Sequence, residues 1–423
     1  MIHGRAPEKG QVMERNRSSF QASLPIIILI LIMMGLITGC ALPSVIQVSS
    51  PSPSPTPVKP VRIGILLPLT GPDAQSGESF RNAFDLVFDP EQEENINGHP
   101  VEIILEDEGG RNPTLALEKA RKLVQSDKSG VIVGPFHGAS ALAVLNYTSS
   151  VPVVNLRWSE PVANKTELGN KYAFWTTPLY QDYTYPLGVY AYYKGATSIT
   201  ILGINEPMAL DYAEGFKSAF KAAGGKIVQE QWLSPQETQF GNYLANLFPA
   251  KGLVLIVPGE KAKIALFKEY ARLGLNKKYP VFLAEPRSLS RSASQEIGDV
   301  LIGVTAIEGY LPESDYPQNV AYRNAYQHKY KTDPPEEAYK AFNCARILKE
   351  ALISTGGNTD ADILKAALLK LEVDLPTGPF RFSRGRIGMH TLRVREIVKH
   401  EDELDWETRM EYTLFETRQE TYP

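Results

Sequence analysis

The chain has 423 residues, a formal net charge of −4, 43% hydrophobic residues and two cysteines. That length supports a substantial core in one large or two ordinary domains, and a mildly acidic chain with no basic stripe argues against a nucleic-acid surface. Two cysteines, Cys40 and Cys344, exclude a disulfide framework.

The first feature in chain order is Leu24 to Ile37, LPIIILILIMMGLI, an uncharged aliphatic run preceded by Arg15 and Arg17. It is shorter than the ~20 residues that span a bilayer and matches the length of a signal-peptide core. Ile37, Thr38 and Gly39 then lead directly into Cys40. The order basic, apolar, small, cysteine resembles the lipobox of bacterial lipoproteins. That resemblance implies that residues 1–39 are removed and that Cys40 becomes a lipidated N-terminus held at the outer side of a membrane. The alternative is an uncleaved anchor with an incidental cysteine. Met13 opens a more ordinary signal, MERNR, so the start lies at either Met1 or Met13. Segment 1–39 has four basic and two acidic residues, and its removal takes the formal charge from −4 to −6. From Ser49 to Pro60 serine and proline alternate with little to bury, which makes 40–60 an extended, semi-rigid spacer.

Beyond the spacer, short apolar runs alternate with segments of helical period. Val61 to Leu67 predicts a buried strand and Ser76 to Phe88 a helix with Phe80, Phe84, Val87 and Phe88 on one face. Val101 to Leu105 predicts a strand, and Asn112-Pro113 supplies an N-cap and first-turn proline for the helix through Leu117, Ala120 and Val124. Val131 to Val133, Ala139 to Thr148 and Val151 to Leu156 continue as strand, helix and strand. The rhythm restarts with a strand over Ser198 to Ile204 and a helix over Tyr212 to Ala223 stopped by Gly224-Gly225. Strands over Lys226 to Glu230, Gly252 to Val257 and Pro280 to Ala284 follow, with a helix over Ala262 to Leu273 closed by Gly274. Such alternation predicts an α/β fold of two doubly wound lobes, each a parallel sheet covered by helices on both faces. Cys344, in the helical run EEAYKAFNCARILKEAL, is expected to be a packed thiol.

VRIGILLPLTGPDAQSGESFRNAFDLVFD, GHPVEIILEDEGGRNPTLALEKARKLV, VGPFHGASALAVL with VPVVNL, DYAEGFKSAFKAAGGKIV, AYRNAYQHKYKTDPPEEAYKAFNCARILKEAL and GPFRFSRGRIG occur in that order. The set resembles the type 1 periplasmic binding proteins of the Leu/Ile/Val-binding family, the extracytoplasmic receptors of ABC importers. The resemblance implies two lobes joined by three crossings, one from 61–177 plus 311–373 and the other from 178–310 plus 374–423. It also implies a small ligand, an amino acid or amino-acid-like compound, held between the lobes and delivered to a permease, with no cofactor.

Ligands of open α/β sheets collect at the carboxyl ends of the strands, where helix starts offer free N–H groups to an anion. Three loops are placed there. In TGPDAQSG the polar groups are Asp73, Gln75 and Ser76, either ligand contacts or a structural turn and cap. In PFHGAS the resemblance implies hydroxyl residues where this chain has His137 and Gly138, leaving the backbone N–H groups of Gly138 and Ala139 to meet a carboxylate. In NLRWSEP, Ser159 keeps a hydroxyl, Arg157 suits a carboxylate and Trp158 an apolar wall, or both serve packing. From the second lobe, the resemblance implies Tyr212 as a closing residue and Glu285 as the acid that meets an ammonium group.

Enzyme chemistry lacks its signatures: there is no GxSxG around Ser140, no HExxH and no GxGxxG after the first strand. His99, His137, His328, His390 and His400 have no metal-ligand spacing, and Glu106-Asp107-Glu108 reads as a strand end and solvated loop. The alternative to a transport receptor is a regulatory lipoprotein of the same fold acting on a sensor kinase or cell-wall synthase.

Overall fold

A computed structural model describes residues 58–92, 94–159, 169–285, 289–401 and 403–413. Cys40, the apolar run before it and the spacer up to residue 57 lie outside these residues. No described helix is long and apolar enough to cross a membrane.

The first sheet contains β1 (Val61–Leu67), β2 (Asn95–Ile96), β3 (His99–Asp107), β4 (Val131–Val133), β5 (Val154–Arg157) and β6 (Ala173–Trp175), in the order β2-β3-β1-β4-β5-β6. All neighbours run parallel except the short β2 beside β3. Their apolar runs are continuous because both faces are covered. On β4, Val131 and Val133 enter one core and Ile132 the other. The larger core holds Ile63, Ile65, Phe80 and Phe84 with Cys344, Ile347 and Leu348 of helix Tyr339–Ser354. The smaller one joins Leu66 and Ile132 to Ala116, Ala120 and Leu123 of helix Pro113–Gln125. The Asn112 side chain accepts from the Leu115 N–H at 3.1 Å, the expected cap. Cys344 is fully buried and its thiol is pushed well above the usual range by that burial, as a packed thiol should be.

The second sheet contains β7 (Ser198–Ile204), β8 (Lys226–Leu233), β9 (Gly252–Ile256), β10 (Val281–Leu283) and β11 (Thr305–Glu308), all parallel. Three strands, β12 (Glu372–Leu375), β13 (Gly378–Phe382) and β14 (Gly388–Met389), form a small separate sheet. The long hairpin of β15 (Thr391–His400) and β16 (Glu403–Thr413) then adds to the second sheet antiparallel to β11. Neither the hairpin nor helix Tyr180–Tyr193, which contains Pro186, is among the expected elements. On β9, Val254 and Ile256 pack into one core and Leu253 and Leu255 into the other.

The chain leaves the first sheet after Trp175 and leaves the second after Glu308, where Tyr310 stacks on Tyr339 at 4.2 Å between centroids. Leu375, Phe380 and Phe382 pack in the first lobe's core, whereas Met389 packs in the second's. Leu375, Phe380 and Phe382, beyond the expected boundary at 373, thus share the core of the first sheet.

Candidate functional site

Five parallel strands of the first sheet end along one edge, and the loops leaving β1, β3, β4 and β5 gather there. Gly134, immediately after β4, has φ +93, and a Cβ there would meet the Leu66 carbonyl oxygen at 2.4 Å. Only glycine turns the chain so tightly against β1, and the turn delivers Phe136 and His137 to the start of helix Gly138–Thr148.

Asp107 fixes the loop after β1. It accepts from the Leu69 N–H at 2.9 Å, the Gly109 N–H at 2.9 Å and the Thr70 hydroxyl at 2.6 Å. Burial disfavours its charge, but these donors outweigh burial and hold the carboxyl below its ordinary value. Asp73 sits just before helix Ala74–Phe84, 3.1 Å from His137 Nε2 and 3.8 Å from Arg111. Burial holds the His137 imidazole below its ordinary value, with Asp73 opposing that shift. Gln75 is exposed and Ser76 half-buried; the Gln75 group in use is its carbonyl, which accepts from Ser79.

Gly138 and Ala139 are exposed in the first turn of their helix, where no side chain caps the N–H groups. Ser140, one residue on, is fully buried, and its hydroxyl has no partner among the described residues. Beside this helix start, Arg157 ends β5 almost fully buried and donates to the Ser159 hydroxyl at 2.7 Å. Trp158 is buried in the first core, edge-on to Phe80 at 5.2 Å.

Glu108 corrects the sequence reading. Glu106 pairs with Lys119 and Lys122 at the surface and Asp107 serves the loop, but Glu108 is completely buried rather than solvated. Burial pushes its carboxyl up to about 8, partly offset by the His137 and Phe136 N–H groups and then by the Arg157 guanidinium. At neutral pH it is therefore mostly protonated. An acid inside a run of three gave no sign of this.

The second sheet presents its own carboxyl edge. Tyr212, on helix Pro207–Ala222, is buried edge-on against Tyr180 at 4.9 Å, and Gln181 donates to Asp211 at 3.2 Å. Glu285 follows β10 and is 3% exposed, with Lys263 Nζ at 2.5 Å from its Oε2. The acid expected to meet a ligand's ammonium group thus already faces a lysine, which the sequence reading did not include. A cavity of about 430 Å³ is lined by Ser290, Glu308 and Arg395 together with Pro334.

The sequence profile of the family described as "Periplasmic binding protein" matches residues 60–402. The "Leu/Ile/Val-binding protein homolog 6" of Brucella suis biovar 1 is 23% identical over 352 residues, covering 81% of this chain and 88% of that protein. A solute binding protein of an ABC transporter from Rhodopseudomonas palustris HaA2, solved with p-hydroxybenzoic acid, superposes with a TM-score of 0.72 at 21% identity, covering 84% and 97% of the two chains. An amino acid ABC transporter substrate-binding protein from Pseudomonas fluorescens Pf-5 superposes with a TM-score of 0.71 at 20% identity, covering 85% and 97%.

Proposed function

The chain belongs to the periplasmic binding protein family, and we propose that it is the extracytoplasmic receptor of an ABC importer, tethered through a lipid on Cys40. It closes two lobes over a small carboxylate-bearing solute, an amino acid or an aromatic acid. The observation that carries this reading is the open helix start at Gly138-Ala139, with the buried Ser140 hydroxyl and the Arg157–Ser159 pair beside it. Uncapped N–H groups at the positive end of a helix, next to a guanidinium and two hydroxyls, are suited to a carboxylate. Similar proteins lend support: one is named for Leu/Ile/Val binding, and another was solved with p-hydroxybenzoic acid.

Closure follows from the two walls. A solute that touches both gains contacts only in the closed form, and that difference in affinity drives the lobes together. A thermal-shift screen of the mature body against amino acids, aromatic acids, short organic acids and their amides tests the reading. A set of carboxylates is expected to raise the melting temperature while the matching amides do not. Stabilisation by amides and acids alike would overturn the carboxylate assignment.

A further inference from the structure

We infer that the amino-end edge of the second sheet is a docking surface for anionic lipid, on the side of that sheet opposite the loop that carries Glu285. Strands β11, β10, β9, β7 and β8 are parallel neighbours in that order, ~4.8 Å apart, so the segments that enter them lie side by side. Backbone bonds tie these segments together: the Lys226 N–H donates to the Thr197 carbonyl at 3.1 Å, the Lys251 N–H to the Ser198 carbonyl at 2.9 Å and the Leu253 N–H to the Pro280 carbonyl at 2.9 Å. Four exposed lysines stand here. Lys226 opens β8, Lys251 immediately precedes β9, and Lys277 and Lys278 shortly precede β10. None of the four has an acidic partner among the described residues.

Apolar groups interleave with these charges. Phe248 is 57% exposed and Ile302 48% exposed. The Tyr279 hydroxyl donates to the Phe248 carbonyl at 3.5 Å, and Tyr279, Ile302, Lys277 and Lys278 line one cavity of about 250 Å³. Two acids at this edge are already occupied, Asp299 by Lys399 at 2.8 Å and Glu396 by Lys194 and Arg409. The turn with Glu401 and Glu403, between β15 and β16, lies on the far side of β11 from the lysines.

A chain of net charge −4 is not drawn to an anionic surface as a whole. Charges act locally, however, because salt screens them beyond ~10 Å at 0.1 M. Lysines without acidic partners attract phosphate-bearing headgroups, and Phe248 and Ile302 can enter the apolar boundary beneath those headgroups. A free phosphate would make no use of the two apolar side chains. The combination therefore fits a lipid surface.

Vesicle sedimentation tests this with a chain that starts at residue 40 and carries Cys40→Ser. It keeps every described residue and has no acyl chain, so its failure to bind would leave the tethered-receptor reading standing. Binding to mixed phosphatidylcholine–phosphatidylglycerol vesicles is expected to be at least about tenfold stronger than to phosphatidylcholine alone, and the difference should vanish in ~1 M salt. Replacing Lys226, Lys251, Lys277 and Lys278 together by Gln should lower binding at least about tenfold. The same change at Lys59, Lys128, Lys331 and Lys370 alters net charge equally and should leave binding within about twofold. Phe248→Ser/Ile302→Ser should weaken binding several-fold, and it decides the matter if thermal unfolding shows the lysine variant misfolded. Equal partition into both vesicle types overturns the inference, as does equal loss in the two lysine variants. Displacement of the protein from mixed vesicles by millimolar inorganic phosphate would assign the lysines to a free anion and overturn it too.

Discussion

Arg157 donates to the Ser159 hydroxyl at 2.7 Å, from a strand end that is almost completely buried. The bond holds a cation and a hydroxyl in fixed relation beside the open start of helix Gly138–Thr148. In the proposed site both groups would meet one carboxylate without reorganising, which is the physical advantage of a preformed site.

Removing either partner should weaken capture. A hydrogen bond to a charged group is worth ~1.5–3 kcal/mol, so Ser159→Ala is expected to raise the dissociation constant of the bound carboxylate roughly ten- to a hundredfold. Arg157→Ala should cost at least as much, because it removes a full charge. Calorimetry with unchanged affinity in both variants would place the pair outside the binding surface.

Glu108 makes a pH-dependent prediction. Its folded value of about 8 lies above the ordinary 4.5, so the folded chain holds a proton that the unfolded chain releases. The protonated form favours folding. Its contribution is therefore full below about pH 4.5 and is lost progressively as pH rises toward 8. Glu108→Gln keeps the shape and removes the titration. Relative to wild type, the variant should gain stability steadily between pH 5 and 8, by no more than ~5 kcal/mol at ~1.4 kcal/mol per pKa unit. Urea unfolding at several pH values measures this, and parallel profiles for the two proteins would refute it.

How much of this was legible in the sequence varied with the kind of residue. Strands β1, β4, β5, β7, β9 and β10 were readable because burial on both faces makes their apolar runs continuous, whereas the short β6 was not among the expected elements. The hairpin β15–β16 was not, since its outer strand alternates charged and apolar residues over an exposed edge. Asp73, His137 and Ser159 could be placed because they sit just beyond readable strand ends. The role of Glu108 could not, because its burial depends on the turn at Gly134 carrying Phe136 and His137 across it. The Lys263–Glu285 pair was hidden for a similar reason: the two residues lie in different loops, joined only by the pairing of β9 with β10.

Arg395 marks the passage between lobes. It is buried on β15, 3.0 Å from Glu308 at the end of β11 and 2.6 Å from Glu313 on the segment leading away. Truncating one member of a buried ion pair typically costs ~3–5 kcal/mol, so Arg395→Ala should lower stability by about that much. A loss under ~1 kcal/mol in denaturant unfolding would mean that solvent reaches the pair.

Lipidation at Cys40 is open to a direct chemical test. Labelled fatty acid should enter the wild-type chain in a bacterial host and fail to enter Cys40→Ser. An unlabelled wild-type chain that retains Leu24 to Gly39 would exclude the lipid anchor.

Capture of a carboxylate at the helix start can be observed at the atoms concerned. With ¹⁵N-glycine and ¹⁵N-alanine incorporated, the amide resonances of Gly138 and Ala139 can be followed while a carboxylate that stabilises the protein is titrated in. Their N–H groups should shift strongly and saturate together with calorimetric binding. If binding saturates while Gly138 and Ala139 stay unmoved, the carboxylate is held elsewhere and the proposed site is wrong.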